Sequence, residues 1–375
     1  MILKSIEIEN FRCFRHSRFE NFSQVNLIGG MNNSGKTALL EAILLGNEPT
    51  FHAIRFLQDL RTETIIAYSR KPELAWSNLF YRHEKNQTIS IVSEYENNHI
   101  VSANISCSEK VRHKPTTNGK DFNGEELIKV VDNSDINEVE ESSLIIIASS
   151  PTSSARNEMT YRLNEDAESR LERLKSSYKE GFTQQHSILM MPTGYKKPGG
   201  FLAREFDEAK LKNEDSTVLK AFQIIDNSIE KIDTINLGEP RIYIFRKNEK
   251  PQPLNFFGDA LNKIADLILR VSNNPNCILL IDEIENGIHH TNQHEFWQML
   301  IKLAVAKDVQ IFATSHSAEM IKAFQTAATA NKQEDKVRFI EMYKSQRTGE
   351  IVGDPVDMET LAFDIQNNNP YRGEE

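Results

Sequence analysis

The chain contains no apolar run of about 18 residues, the length a helix needs to cross a bilayer, and no basic start leading into an apolar core. Membrane spanning and secretion are not expected, and the reading is a cytoplasmic chain with no membrane partner. Cysteine is scarce: Cys13, Cys107 and Cys277 are scattered and form no Cys-x-x-Cys pair. That argues against both a disulfide framework and a zinc site. Cys13 and Cys277 fall in apolar contexts, where a buried thiol in a strand is the ordinary expectation. Positive charge is also short, with 44 Lys and Arg against 54 Asp and Glu and a net charge of −10. A protein that grips DNA phosphates is usually basic on at least one face. Charge thus gives no sign of a nucleic-acid partner, although a local patch would suffice for one. Residues 195–201 form a basic turn flanked by aromatics, and Lys110, Arg112, His113 and Lys114 form a second cluster. A solvated loop is the plainer reading of both. No long low-complexity region occurs and the mean hydropathy is −0.49, so the chain should fold.

What is present begins with Gly30, Met31, Asn32, Asn33, Ser34, Gly35, Lys36 and Thr37, which spell G-x-x-x-x-G-K-[ST]. Residues 25–28 upstream read as a short buried strand, and residues 38–45 downstream are good helix formers with no breaker until Gly46. Strand, glycine loop and helix make a cradle whose backbone N–H groups and helix N-terminus face anionic phosphates. In that pattern Lys36 reaches the β- and γ-phosphates and Thr37 sets its hydroxyl on Mg²⁺. The expected ligand is a nucleoside triphosphate.

A second string, residues 276–283, is apolar until it ends in Asp282 and Glu283. An uninterrupted apolar run suits a strand buried on both faces of a parallel sheet, with the acids emerging at its carboxyl end. Asp282 is then placed to hold Mg²⁺ opposite Thr37, and Glu283 to polarise an attacking water. The bland alternative is a core strand followed by a helix N-cap Asp and a first-turn Glu. A third string, residues 309–317, is another apolar strand ending in Thr314, Ser315 and His316. It lies about one helix and one strand beyond Glu283, as the next βα unit would. There His316 can sense the γ-phosphate as a hydrogen-bond donor; taken alone it reads as a surface or capping histidine.

In this order the three strings resemble the ABC-type ATPase heads, and within them the RecF/OLD/SMC-like branch, whose short members are AAA-family ATPases. Residues 6–14, IEIENFRCF, resemble that branch's N-terminal strand, and residues 285–290, ENGIHH, its stretch after the Asp-Glu pair, which the family uses as a dimer-contacting loop. The resemblance covers roughly residues 1–50 and 240–360. It implies an α/β fold, an ABC-type P-loop ATPase head with a mixed sheet and an inserted helical region, using ATP and Mg²⁺ as a homodimer or higher oligomer. Before the Asp-Glu strand such heads carry a signature loop opening a helix, and here Gly258 and Asp259 stand in a similar place. Ala260 and Lys263 replace the last glycine and the arginine of the OLD-like variant, and the usual serine is missing. A glycine before a helix start still offers N–H donors to a phosphate on a facing subunit, so the loop reads as present but weakened.

The expected organisation is an ATPase core over residues 1–150, a helical insert over 151–235 and the rest of the core over 236–375. Residues 88–105 alternate like antiparallel strands, Asn118-Gly119 and Asn123-Gly124 signal turns, residues 143–148 read as a buried strand, and residues 337–352 as a terminal hairpin. Leu163, Leu171 and Leu174 do not sustain heptads, so a long coiled-coil arm is excluded. A TOPRIM nuclease domain of about 100 residues or more has no room after the core. Two function classes follow from the resemblance. One is an oligomeric ATPase that senses or gates a separate effector protein, a nuclease or toxin, as in prokaryotic anti-phage defence; that context is the family's and rests on no residue here. The other is a DNA-repair or chromosome-maintenance ATPase that clamps duplex DNA. Acidity and the missing arm favour the first. A transporter motor is a third reading, against which the signature departure counts.

Overall fold

The apolar runs that end in chemistry-bearing residues are neighbouring strands of one sheet. The computed structural model describes residues 2–61, 71, 74–112, 138–150, 155–163, 187–194, 199–367 and 369–370. In it β3 (Val25–Gly30), β8 (Ile188–Met191), β12 (Ile278–Ile281), β13 (Gln310–Ser315), β14 (Val337–Lys344) and β15 (Ile351–Val356) form a sheet in the order β15-β14-β3-β13-β12-β8. Every pairing is parallel except the closing hairpin β14–β15. β3, β12 and β13 are buried at every position. Both faces are covered, which is why these strands read as continuous apolar runs. Leu279 and Ile281 point into a helical core, whereas Ile278 and Leu280 point into a second core shared with another sheet.

That second sheet is antiparallel and comprises β1 (Leu3–Phe11), β2 (Phe14–Phe19), β4 (Ile89–Tyr95), β5 (His99–Arg112), β6 (Glu138–Ser150) and β7 (Ala155–Arg162), ordered β2-β1-β4-β5-β6-β7. The helix Lys36–Asn47 lies between the two sheets with residues 38–47 all buried; it runs through Gly46 instead of stopping there. A three-stranded ribbon of β9 (Ile229–Asn236), β10 (Pro240–Arg246) and β11 (Gln252–Pro253) packs with the helices Gly199–Leu211, Asp215–Ile225 and Asp259–Asn273. The helices His290–Ala306, Ala318–Asn331 and Met358–Asn367 complete the helical side. Among the described residues no helix is long and apolar enough to cross a membrane.

Three details differ from expectation. Among its described residues the span 151–235 supplies core strands as well as helices. Within that span β7 pairs with β6, and β8 is the strand next to β12, with Asp282 N–H donating to Met191 O at 2.9 Å. Four residues of apolar β8 were too short to stand out in a charge-rich region. Residues 143–148 belong to β6 but alternate between buried and partly exposed, as one face of an antiparallel sheet does. Cys13 sits in the exposed turn between β1 and β2 and not in a strand, whereas Cys277 is buried. The two Asn-Gly turn signals, Leu171, Leu174, His113, Lys114 and residues 195–198 lie outside the described residues.

One buried ion group ties the β1–β2 turn to the helix Lys36–Asn47. Glu41 has a side chain 1% exposed and accepts from Arg12 Nε and from the Arg61 guanidinium, each at 2.9 Å. Arg12 is 7% exposed and Arg61 43% exposed. Removing the carboxylate breaks two ion pairs made by a buried group, so Glu41→Ala should lower the unfolding free energy by about 3 kcal/mol. Arg61→Ala, at the solvent side, should cost less than about 1 kcal/mol. Denaturant unfolding of the two variants checks the ranking, and equal losses would refute it.

Candidate active site

The carboxyl ends of β3, β12, β13 and β8 open on one side of the central sheet, where ligands of open α/β sheets bind. A cleft of about 1210 Å³ lies there, lined by residues 32–37, Asp282, Glu283, Thr314, His316 and Thr193. The glycine loop is shaped by two positions that admit no side chain. At Gly30 a Cβ would fall 2.4 Å from Met342 O, and Gly35 has φ +92° with Cys13 Sγ and Ile351 Cδ1 3.0 Å from such a Cβ. Gly35 is the N-cap of the helix Lys36–Asn47 and brings no side-chain cap with it, so the first N–H groups face the loop. The Lys36 ammonium donates to the carbonyls of Gly30 and Met31 at 2.7 and 2.8 Å. Burial lowers its pKa from the ordinary value. Met31 stands out of the loop, 56% exposed.

Register then sets the acids. Ile281 is level with Ala313 on one side and Met191 on the other, so the next residues, Asp282, Thr314 and Pro192, come out together. Asp282 is 9% exposed and accepts from three hydroxyls. Thr37 lies 3.0 Å from Oδ1 and 3.1 Å from Oδ2, Thr314 2.7 Å from Oδ1, and Thr193 3.1 Å from Oδ2. The cluster is made of oxygen atoms alone, the donor type that suits a hard divalent cation such as Mg²⁺. Glu283 turns away in the left-handed region at φ +50°, and its Oε2 accepts from Asn286 Nδ2 at 2.6 Å. No helix starts at this point; the next begins at His290 with His289 as N-cap. The reading of Asp282 as a helix cap is thereby removed.

His316 also lines the cleft, half exposed, and Glu285 holds it twice: Oε1 is 2.9 Å from its Nδ1 and accepts its backbone N–H at 2.9 Å. Gly258 is not among the described residues that line the cleft. Gly258 is the exposed N-cap of the helix Asp259–Asn273, again without a side-chain cap. From that helix Lys263 reaches back under the turn that follows β12 and donates to the carbonyls of Glu283 and Ile284 at 2.7 and 3.2 Å. Sequence reasoning did not assign Thr193, Thr314 or Glu285. Thr314 and Glu285 stood inside strings already singled out, but only strand register shows which side chains converge.

A mixed sheet with a glycine phosphate loop after β3, an Asp-Glu pair after β12 two strands away and a helical side beyond defines an ABC-type P-loop ATPase head. The chain belongs to the RecF/RecN/SMC N terminal domain family, whose model matches residues 2–338, and it is an ATPase of that family. It is 23% identical over 365 residues to an ATP/GTP phosphatase of Helicobacter pylori, with 89% of this chain and 94% of that protein covered. Over 58 residues it is 45% identical to the DNA replication and repair protein RecF of Thioalkalivibrio sulfidiphilus, with 16% of each chain covered. The SMC head domain from Thermotoga maritima aligns over 95% of this chain and all of that one, at 14% identity and a TM-score of 0.41.

The Lys263 contact carries a pH signature. Burial pulls its pKa from 10.5 down to about 8, against the raising effect of Glu285, Glu283 and Asp282. Between these values the unfolded chain holds the proton that the folded chain has released, so stability rises with pH across the window. Relative to Lys263→Met, wild-type protein should gain unfolding free energy over that range; a constant difference between the two would contradict the assignment.

Proposed function

We propose that the chain is a Mg²⁺-dependent ATPase that acts as a homodimer or higher oligomer and whose nucleotide state gates a separate effector protein, a nuclease or toxin, in prokaryotic anti-phage defence. The observation that carries the assembly is the position of Gly258. It caps a helix N-terminus that faces solvent, lies outside this chain's own cleft, and has no atom within 4 Å of where a Cβ would stand. Such an end offers N–H donors to a phosphate brought by a second subunit. The net charge of −10 supports a protein partner over a nucleic-acid backbone. One observation favours a second reading, a DNA-clamping repair ATPase: the short local likenesses to RecF and to the Rad50 ATPase of Archaeoglobus fulgidus, the latter 44% over 45 residues. DNA binding measured with ATP across a salt series separates them, since a clamp loses affinity steeply as salt rises.

In this reading the loop of residues 30–37 holds the triphosphate, with Lys36 on the β- and γ-phosphates. Thr37 and Asp282 hold Mg²⁺, which when bound neutralises charge on the transferring phosphoryl group. Glu283 accepts a proton from the attacking water, and His316, kept in place by Glu285, contacts the γ-phosphate. The division of labour has a direct consequence. Glu283→Gln should bind ATP at near wild-type affinity but hydrolyse it at least about a hundredfold more slowly, within the range for a lost general base. Lys36→Ala should lose nucleotide binding itself. Wild-type turnover by Glu283→Gln would remove the role given to that carboxylate.

Assembly is tested by mixing. Lys36→Ala and Gly258→Trp chains should each be inactive alone, yet a heterodimer of the two holds one site with both halves intact. Partial recovery of ATPase activity on mixing is the expected result. No recovery in a heterodimer verified by native mass spectrometry would place each site within a single chain.

A further inference from the structure

We propose that Thr314 is a positioning residue for ATP hydrolysis, fixing both catalytic carboxylates through one hydroxyl. The inference rests on the metal-holding role of Asp282. Thr314 is fully buried in β13, behind the apolar residues Ile311, Phe312 and Ala313. A hydroxyl there is costly unless both its donor and acceptor capacities are used. Here both are: Oγ1 accepts the Glu283 N–H at 2.8 Å and donates to Asp282 Oδ1 at 2.7 Å. A threonine hydroxyl carries one hydrogen. With Oγ1 already taking an N–H, that hydrogen is directed at the carboxylate. Amide, hydroxyl and carboxylate thus form a short polarised chain in which each bond strengthens the next. The Thr314 carbonyl grips the same turn from its backbone side, accepting the Ile284 N–H at 3.0 Å.

Two consequences follow for the chemistry. The plane of the Asp282 carboxylate is pinned from Oδ1 by Thr314, with Thr193 on Oδ2 and Thr37 placed across both oxygens at the cleft. Glu283 is held in a left-handed conformation, φ +50°, that a residue with a Cβ adopts only when its surroundings impose it. Thr37 and Thr193 each give Asp282 a hydroxyl, but no hydrogen bond from either reaches the Glu283 backbone among the described residues. Thr314 alone of the three touches both acids.

The test compares Thr314→Val, which keeps the shape and removes the hydroxyl, with Thr314→Ser, which restores it. For Val, kcat should fall by about ten- to a hundredfold, the range of one charge-assisted hydrogen bond, while KM for ATP stays within about threefold. Mn²⁺ affinity of the ATP-loaded protein, read by electron paramagnetic resonance, should weaken in parallel. Ser should recover most of both. In a Glu283→Gln background Thr314→Val should slow turnover less than in wild type, because one of the two carboxylates it positions is already disabled. If Val does not fold, Thr314→Cys, whose thiol is only a weak donor, replaces it in the same comparison. Thr37→Ala is measured alongside. If it weakens Mn²⁺ binding while Thr314→Val leaves both Mn²⁺ and kcat unchanged, Thr314 has no positioning role and the metal reading stands; if neither variant affects Mn²⁺, the metal reading itself fails. Val and Ser variants that lose kcat equally, in step with their melting temperatures, would also overturn the proposal by assigning Thr314 to packing alone.

Discussion

A carboxylate that is 9% exposed has to be surrounded by donors, and most of this molecule's architecture is arranged around that requirement at Asp282. Its three hydroxyl partners come from widely separated parts of the chain: Thr37 after β3, Thr193 after β8 and Thr314 at the end of β13. Parallel register is what brings them level. β12 is flanked by β8 and β13, and β13 by β3, so the four carboxyl ends stand side by side. A slip of one residue in either β12 pairing would turn Asp282 toward a core and replace its donors with apolar side chains.

The uneven distribution of cations follows the same logic. The chain is acidic overall, yet Lys36 and Lys263 are both buried enough to lower their pKa. Each is fixed on backbone carbonyls, Lys36 on the phosphate loop and Lys263 on the turn after β12. Carbonyl oxygens are weak partners for an ammonium compared with carboxylates. Such bonds hold a lysine in place without neutralising it, which at Lys36 leaves the charge available at the edge of the cleft. Arg12, which also lines the cleft, is different, for it is paired with the buried carboxylate of Glu41.

The parts of the fold that were legible in the sequence are those where function forces an unusual local pattern. The glycines of the phosphate loop, the apolar run ending in Asp282 and Glu283, and the run ending in His316 each encode a strand and its terminal chemistry within ten residues. β4, β5 and the β14–β15 hairpin were legible through alternation and turn residues. β8 was not, because four apolar residues carry no period, and its place beside β12 depends on pairing with a segment far along the chain. β7 was masked by polar residues on its open face. The convergence of Thr193, Thr314 and Glu285 was illegible for a related reason: hydroxyls and acids gain a role from their neighbours across strands, and a linear pattern does not record those neighbours.

The neighbours of β3 set a schedule for the molecule's birth. The strand that carries the phosphate loop leaves the ribosome well before the strands on either side of it, β13 and β14, which lie hundreds of residues further along the chain. At about 5–20 residues per second the interval is on the order of tens of seconds. Through that time the antiparallel sheet and the helix Lys36–Asn47 can associate from contacts closer in sequence, while β3 keeps both edges unsatisfied. Unpaired apolar strands are natural targets for chaperones and for wrong partners. The nucleotide site is therefore begun long before the strands that complete it exist.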